Sequence, residues 1–165
     1  MPYLIDGNNV LWMIHKNDER FAPLDQKAFC GQVSRYLALI RDPGEIVFDG
    51  SGPRDRAGLG RHSGLRIVFA GQDIEADAVI EDKIRLCPSP RKLWVVSSDR
   101  RVRRAASLRR AQVLKAEEFW ETVQKRLARK TPTPEPQAKR HGLSEGEAEH
   151  WLKEFGLDRQ DRKER

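Results

Sequence analysis

Apolar residues along residues 1–130 follow two rhythms, short unbroken runs and longer stretches with a helical repeat. The first run, in Tyr3–Leu11 (YLIDGNNVL), reads as a short buried strand that stops abruptly at Asp6. Val10–Ile14 stays apolar and either begins a helix or packs as a loop, and residues 15–26 are polar and irregular. From Lys27 to Arg41, Phe29, Val33, Tyr36, Leu37 and Ile40 recur at helical spacing, and Asp42-Pro43-Gly44 ends that helix. Glu45–Gly50 (EIVFDG) repeats the opening design, a strand closed by Asp49. Leu65–Ala70 is a third strand, Gly71–Glu75 a turn, and Ala76–Cys87 a helix with Ala76, Ile80, Ile84 and Cys87 along one side. Lys92–Ser97 is a fourth strand leading to Ser98 and Asp99, and Arg100–Arg110 a helix. Ala111–Lys115 makes a short edge strand, and Ala116–Lys130 a closing helix with Phe119, Trp120, Val123 and Leu127 inward.

This alternation predicts an α/β fold around a parallel sheet with right-handed crossovers and helices on both faces. Beyond it, residues 131–143 open with TPTPEP, which cannot continue a helix, and read as a linker. Residues 144–157 begin with a Ser144/Glu147 capping box and carry Ala148, Trp151, Leu152 and Phe155 on one side. One such amphipathic helix cannot fold alone, so it is expected to dock on the domain or on a partner; residues 158–165 form a charged tail.

The formal net charge of +6 is unevenly placed. Residues 1–129 hold 23 basic and 17 acidic side chains and residues 130–165 hold 8 of each, so the whole excess lies in the first part. A basic domain points to a polyanion, although solubility alone also accounts for a modest excess. Cys30 and Cys87 are too few for a disulfide framework and lack metal-ligand spacing. Nothing approaches the roughly 18 apolar residues of a membrane span, and the start lacks a basic region followed by an apolar run, so a cytoplasmic chain is expected.

The chemistry lies where strands end. Asp6, Asp49 and Asp99 each close a strand, and strand ends of one polarity line one edge of a parallel sheet. Asp77 and Glu81, four residues apart on one helix flank, aim past its first turns toward the same edge, whereas Asp82 lies well round the helix and is expected in solvent. Each acid also has a plain structural explanation as a turn former or helix N-cap. Together they would repel unless a cation sat among them. Oxygen ligands without His or Cys select hard cations, so magnesium or manganese is expected rather than zinc. Such ions, singly or as a pair about 4 Å apart, activate water and steady the leaving oxygen of a phosphodiester. Arg100–Arg110 (RRVRRAASLRR) has six arginines and no acid, and reads either as a solvated helix face or as a phosphate track. The glycine-rich Ser51–Gly64, with Arg54, Arg56, Arg61 and His62, lacks a phosphate-loop lysine and reads as a mobile loop or as a contact to the substrate backbone. Metal-assisted hydrolysis of nucleic acid uses both the acids and the arginines.

YLIDGNNVL, IVFDGSGP, EADAVIED and VVSSDRRVRRAA, in this order and spacing, resemble the NYN family of PIN-like ribonuclease domains and, within it, the bacterial YacP-like branch. The resemblance covers about residues 1–125. It implies a three-layer fold with a four- to five-stranded, mainly parallel sheet, to which the C-terminal helix would be an appendage. It also implies a Mg2+ or Mn2+ site and endonucleolytic cleavage of RNA, in some members on ribosomes. By position, Asp6, Asp77 and Asp99 look like the metal ligands and catalytic acids, and Glu81 and Asp49 match further acidic positions suited to placing water or substrate. Asn9 resembles a carboxamide that orders the site or touches substrate. Ser98, Arg54, Arg56, Arg100, Arg101, Arg103 and Arg104 complete the expected substrate contacts. Relatives often carry a second acid after the central aspartate, where this chain has Ala78, which puts a two-metal arrangement in doubt. An RNA- or ribosome-binding module that cuts little or nothing is the alternative, and a DNA-directed nuclease a weaker third.

Overall fold

Five strands pair in the order β3-β2-β1-β4-β5, and every pair is parallel. The strands are β1 (Tyr3–Asp6), β2 (Gly44–Phe48), β3 (Leu65–Phe69), β4 (Trp94–Val96) and β5 (Gln112–Leu114). The helices are α1 (Gly7–Lys16), α2 (Gln26–Ile40), α3 (Ala76–Leu86), α4 (Arg100–Leu108) and α5 (Ala116–Lys130). The computed structural model describes residues 2–17, 19–53 and 63–130, the side chain of Lys130 excepted. Arg54, Arg56 and the expected linker, C-terminal helix and tail (residues 131–165) lie outside the described residues.

The strand alternation sorts two cores. Ile5, Ile46, Phe48 and Val96 point to one face and pack with Val10, Ile14, Phe29, Leu37, Phe119 and Trp120 of α1, α2 and α5. Leu4, Val47 and Val95 point to the other and pack with Ile80 and Ile84 of α3 and Val102 and Ala106 of α4. The result is the three-layer α/β/α arrangement expected of the hydrophobic pattern. No helix among the described residues is long and apolar enough to cross a membrane.

Several boundaries differ from the sequence reading, two of them for a plain physical reason. Helix α1 begins at Gly7, immediately after β1, because Asp6 accepts a hydrogen bond from the Asn9 N–H and caps the first turn. Strand β4 is shorter than Lys92–Ser97, because Pro90 starts a single 3-10 turn over Pro90–Lys92 that delays it to Trp94.

The order places a topological switch point between β1 and β4. From β1 the chain winds outward through β2 to β3, then returns to β4 on the other side of β1 and continues to β5. Ligands of open α/β sheets bind outside the carboxyl ends of the strands at such a point. Asp6 ends β1, and Ser97, Ser98 and Asp99 follow β4.

Candidate functional site

Asp6 is 4% exposed, unusual for a carboxylate, and both of its oxygens are engaged. Its Oδ1 accepts from the Asn9 N–H at 3.1 Å and its Oδ2 from the Ser97 hydroxyl at 2.9 Å. Ser97 Oγ in turn accepts the Asp99 N–H at 3.0 Å, so one fully buried hydroxyl ties the ends of β1 and β4 together. Asp99 caps α4, its Oδ1 accepting from Arg101 N at 2.7 Å and Val102 N at 3.3 Å. Asn9 Oδ1 accepts the Ser98 N–H at 2.8 Å, and Ser98 Oγ accepts the Ala116 N–H at 3.1 Å, at the start of α5. On the other flank Asn8 Oδ1 accepts the Asp49 N–H at 3.3 Å, and Asp49 Oδ1 accepts the Ala76 N–H at 2.7 Å. That bond supplies the cap of α3 that Glu75, at the N-cap position, does not make.

The acids feel one another. Burial pushes the Asp6 carboxyl up to about 6; the Asn9 and Ser97 hydrogen bonds oppose this, and the charges of Asp77 and Asp49 add to it. Asp77 is also raised, first by burial and then by Asp99; Arg101 opposes the rise, and Asp49 and Glu75 add to it. Asp6, Asp49 and Asp99 end or follow strands on the same edge of the sheet, and these charge effects put Asp77, in the first turn of α3, beside them.

Glu81 and Arg101 meet each other. The guanidinium grips Glu81 through Nε–Oε1 at 2.8 Å and Nη2–Oε2 at 2.9 Å, and its Nη1 reaches Glu75 Oε2 at 3.4 Å. Neither Glu81 oxygen is left unengaged beside the rim, and Arg101 faces acids rather than solvent alone. Arg100 and Arg104 are exposed, while Arg103 is half-buried with an Nε that has no hydrogen-bond partner among the described residues. Asp82 lies away from the rim and pairs with Arg85 at 2.9 Å.

The donor set suits a hard cation, since it is carboxylate, hydroxyl and carboxamide oxygen throughout. Yet among the described residues no three acidic, His or Cys side chains converge closely enough to hold one ion as they stand. Asp6 and Asp99 spend oxygens on hydrogen bonds, and Asp77 is the rim aspartate with no side-chain hydrogen bond among the described residues.

Sequence reasoning singled out Ser98 and passed over Ser97 and Asn8. The signal for Ser97 was present in the register: β1 and β4 pair Ile5 with Val96, so the next step sets Ser97 beside Asp6 on the same face. Ser97→Ala is expected to destabilise the protein by about 1–3 kcal/mol at pH 7.5, because it strips a donor from the buried Asp6 carboxylate and an acceptor from the Asp99 N–H. The loss should shrink at pH 5, where Asp6 is largely protonated, as urea denaturation at the two pH values will read.

The model of the YacP-like NYN domain family matches residues 3–156, reaching further along the chain than the motifs at residues 1–125. No curated protein matches the chain by sequence. Among solved structures, the chain is similar to Rae1 (YacP) from Bacillus subtilis, with a TM-score of 0.60 at 20% identity over 94% of this chain and 92% of that one. A tryptophan-to-leucine mutant of the same Bacillus subtilis protein gives a TM-score of 0.58 at 20% identity over 78% of this chain and 79% of that one. At that identity the likeness speaks for the fold. The family match over most of the length, on a sheet with a carboxylate rim at its switch point, shows that the chain belongs to the YacP-like NYN domain family, a family of ribonuclease fold.

Proposed function

We propose that the protein is a divalent-metal-dependent endoribonuclease that hydrolyses RNA phosphodiester bonds at the rim around Asp6. The observation that carries this reading is a carboxylate buried at the switch point among other acids: burial first, and then the charges of Asp77 and Asp49, lift Asp6 to about 6. A fold holds such a group against its own electrostatics where a ligand relieves it. Asp6, Asp77 and Asp99 would hold Mg2+ or Mn2+, with side-chain rotation bringing them together. The ion, when bound, supplies an activated water and charge for the leaving oxygen.

The chain's own residues do the positioning. Asn9 and Ser97 lock the β4–α4 connection against β1 and so set Asp6 relative to Asp99. Asn8 and Asp49 lock the start of α3, which carries Asp77. Glu81 acts by holding the Arg101 guanidinium near Asp77, where it can meet a phosphate oxygen, rather than by placing water itself. Arg100 and Arg104 extend that positive charge outward.

A second reading is favoured by Ala78 and by the lack of three converging ligands among the described residues. In it the chain is an RNA- or ribosome-binding module with little cleavage. The two separate on a 5′-labelled single-stranded RNA. We expect fragments with Mn2+ or Mg2+, none with EDTA, and a loss on the order of 10³-fold in Asp77→Asn, from several kcal/mol of missing transition-state stabilisation. RNA binding without fragments in either metal would leave the binding module. Equal cleavage of matched DNA would remove the preference for RNA, and cosedimentation with ribosomes checks that association.

A further inference from the structure

From the acid rim a basic groove runs down between α3 and α4. It has a volume of about 870 Å3, and Arg85, Arg100, Arg101, Arg104 and Arg109 are among its lining residues. Leu108 and Arg109 also line a second hollow of about 500 Å3, whose other walls include Arg91, Lys92 and Arg110. The two hollows therefore adjoin at Leu108 and Arg109. Arg91 and Lys92 precede β4 and Arg110 precedes β5, which places them at the amino-terminal edge of the sheet, opposite the aspartates.

Charge is distributed unequally along this path. In the groove between α3 and α4, Glu81 and Asp82 are countered by Arg101 and Arg85. At the far end no acid among the described residues lines the hollow. The side chains of Arg91, Lys92, Arg100, Arg104 and Arg110 make no ion pair or hydrogen bond among the described residues, while Arg109 donates to the Cys87 carbonyl at 3.1 Å. Cations gathered without acids lower one another's stability and gain from a polyanion. The nine residues of α4 span about 13 Å at roughly 1.5 Å each, or about four steps of a stacked strand at roughly 3.4 Å per step.

We propose that Arg91, Lys92, Arg109 and Arg110 form a distal phosphate-binding site that holds the same RNA strand whose scissile bond lies at the rim, several nucleotides away from it. This rests on the rim being the place where RNA is cut, and it commits the groove to one strand running from aspartates to far hollow. Productive RNAs then need a single-stranded extension on one side of the cleavage point. Short fragments, which reach the rim alone, bind weakly and leave.

The test is binding in EDTA, so that cleavage plays no part, using fluorescein-labelled single-stranded RNAs of 20 and 3 nucleotides, the shorter of which cannot span the roughly four steps along α4. In Arg91→Gln/Lys92→Gln/Arg110→Gln, the 20-mer should bind at least tenfold more weakly at moderate salt. Its slope of log K against log salt should fall by about 2, three contacts at roughly 0.7 each. The 3-mer should bind as to the unsubstituted protein, and Arg91→Lys/Arg110→Lys should keep full affinity for the 20-mer. Unchanged 20-mer binding, or an equal loss for both lengths, would overturn the proposal. So would a loss confined to duplex RNA, which would assign the hollow to a second molecule. Circular-dichroism melts of each variant check that the fold persists. If the protein proves unable to cut RNA and yet shows the length-dependent loss, the distal site stands and the nuclease reading alone falls.

Discussion

Asp6→Asn is expected to abolish RNA cleavage, by a factor on the order of 10³ or more, and at the same time to make the metal-free protein more stable above pH 6. The two effects have one origin. In the folded chain the Asp6 carboxyl titrates near 6 rather than 3.8, chiefly because it is buried. Between those values the folded protein keeps a proton that the unfolded chain has released, so stability falls as pH rises from about 4 to about 6. Above 6 the destabilisation is fully present, and a shift of this size corresponds to about 3 kcal/mol. Asparagine removes the charge and still offers an oxygen to the Asn9 N–H. It leaves the Ser97 hydroxyl without its anionic acceptor, which takes back about 1–2 kcal/mol. A net gain of about 1–2 kcal/mol remains at pH 8, a few degrees in melting temperature for a domain of this size.

Thermal melts in EDTA from pH 4 to pH 8 check the sign. The two proteins should diverge as pH rises, with the unsubstituted chain losing ground to Asp6→Asn until about pH 6 and no further above it. Added Mg2+ should raise the melting temperature of the unsubstituted protein alone. Parallel pH profiles, or an Asp6→Asn variant that melts lower at pH 8, would mean that the Asp6 carboxylate is not held in its buried place at a cost to the fold. The catalytic reading would then lose its physical basis.

The sheet could be read from the sequence because its information is local. Runs such as YLI, EIVF and LRIVF stop at a charge or a glycine, and alternation within each run decides which face every residue takes. That Asp6, Asp49 and Asp99 lie on one edge followed from parallel strand polarity with no distance known. What escaped the reading depends on partners far apart in the chain. Ser97 matters because of its register against β1, and a sequence without the pairing gives no reason to prefer it to Ser98. Arg101 looked like its neighbours Arg100 and Arg104, yet α3 packs so close to α4 that Glu81, 20 residues earlier, captures it on both oxygens. The start of α1 was blurred because Asp-Gly-Asn-Asn favours turns as readily as caps; burial of Asp6 and contact of Gly7 with β2 decide for the helix.

That contact at Gly7 makes the second large effect. Helix propensity alone would have Ala in place of Gly7 stabilise α1 by up to about 1 kcal/mol. We expect the reverse, a loss of about 3 kcal/mol and roughly 10 °C in melting temperature. A Cβ at Gly7 would stand 2.3 Å from Phe48 Cε1, 2.5 Å from its Cδ1 and 2.7 Å from Ile46 Cγ2, closer than real Cβ atoms come. The ring cannot swing clear, because Phe48 is fully buried, edge-on to Phe29 at 6.3 Å and stacked on Phe69 at 5.7 Å. Helix α1 must then lift from β2. Lifting it draws away Asn8 and Asn9, whose carboxamides hold the Asp49 and Ser98 N–H groups, so cleavage should fall even at temperatures where Gly7→Ala remains folded. Gly31→Ala is the matched control, since Gly31 lies inside α2 with nothing within 4 Å of the Cβ it would gain. There propensity acts alone, and a gain of about 0.5–1 kcal/mol with unchanged cleavage is expected. Opposite signs for the same chemical change would show that the first turn of α1 is pinned by its fit against β2, and that the rim inherits its geometry from that fit.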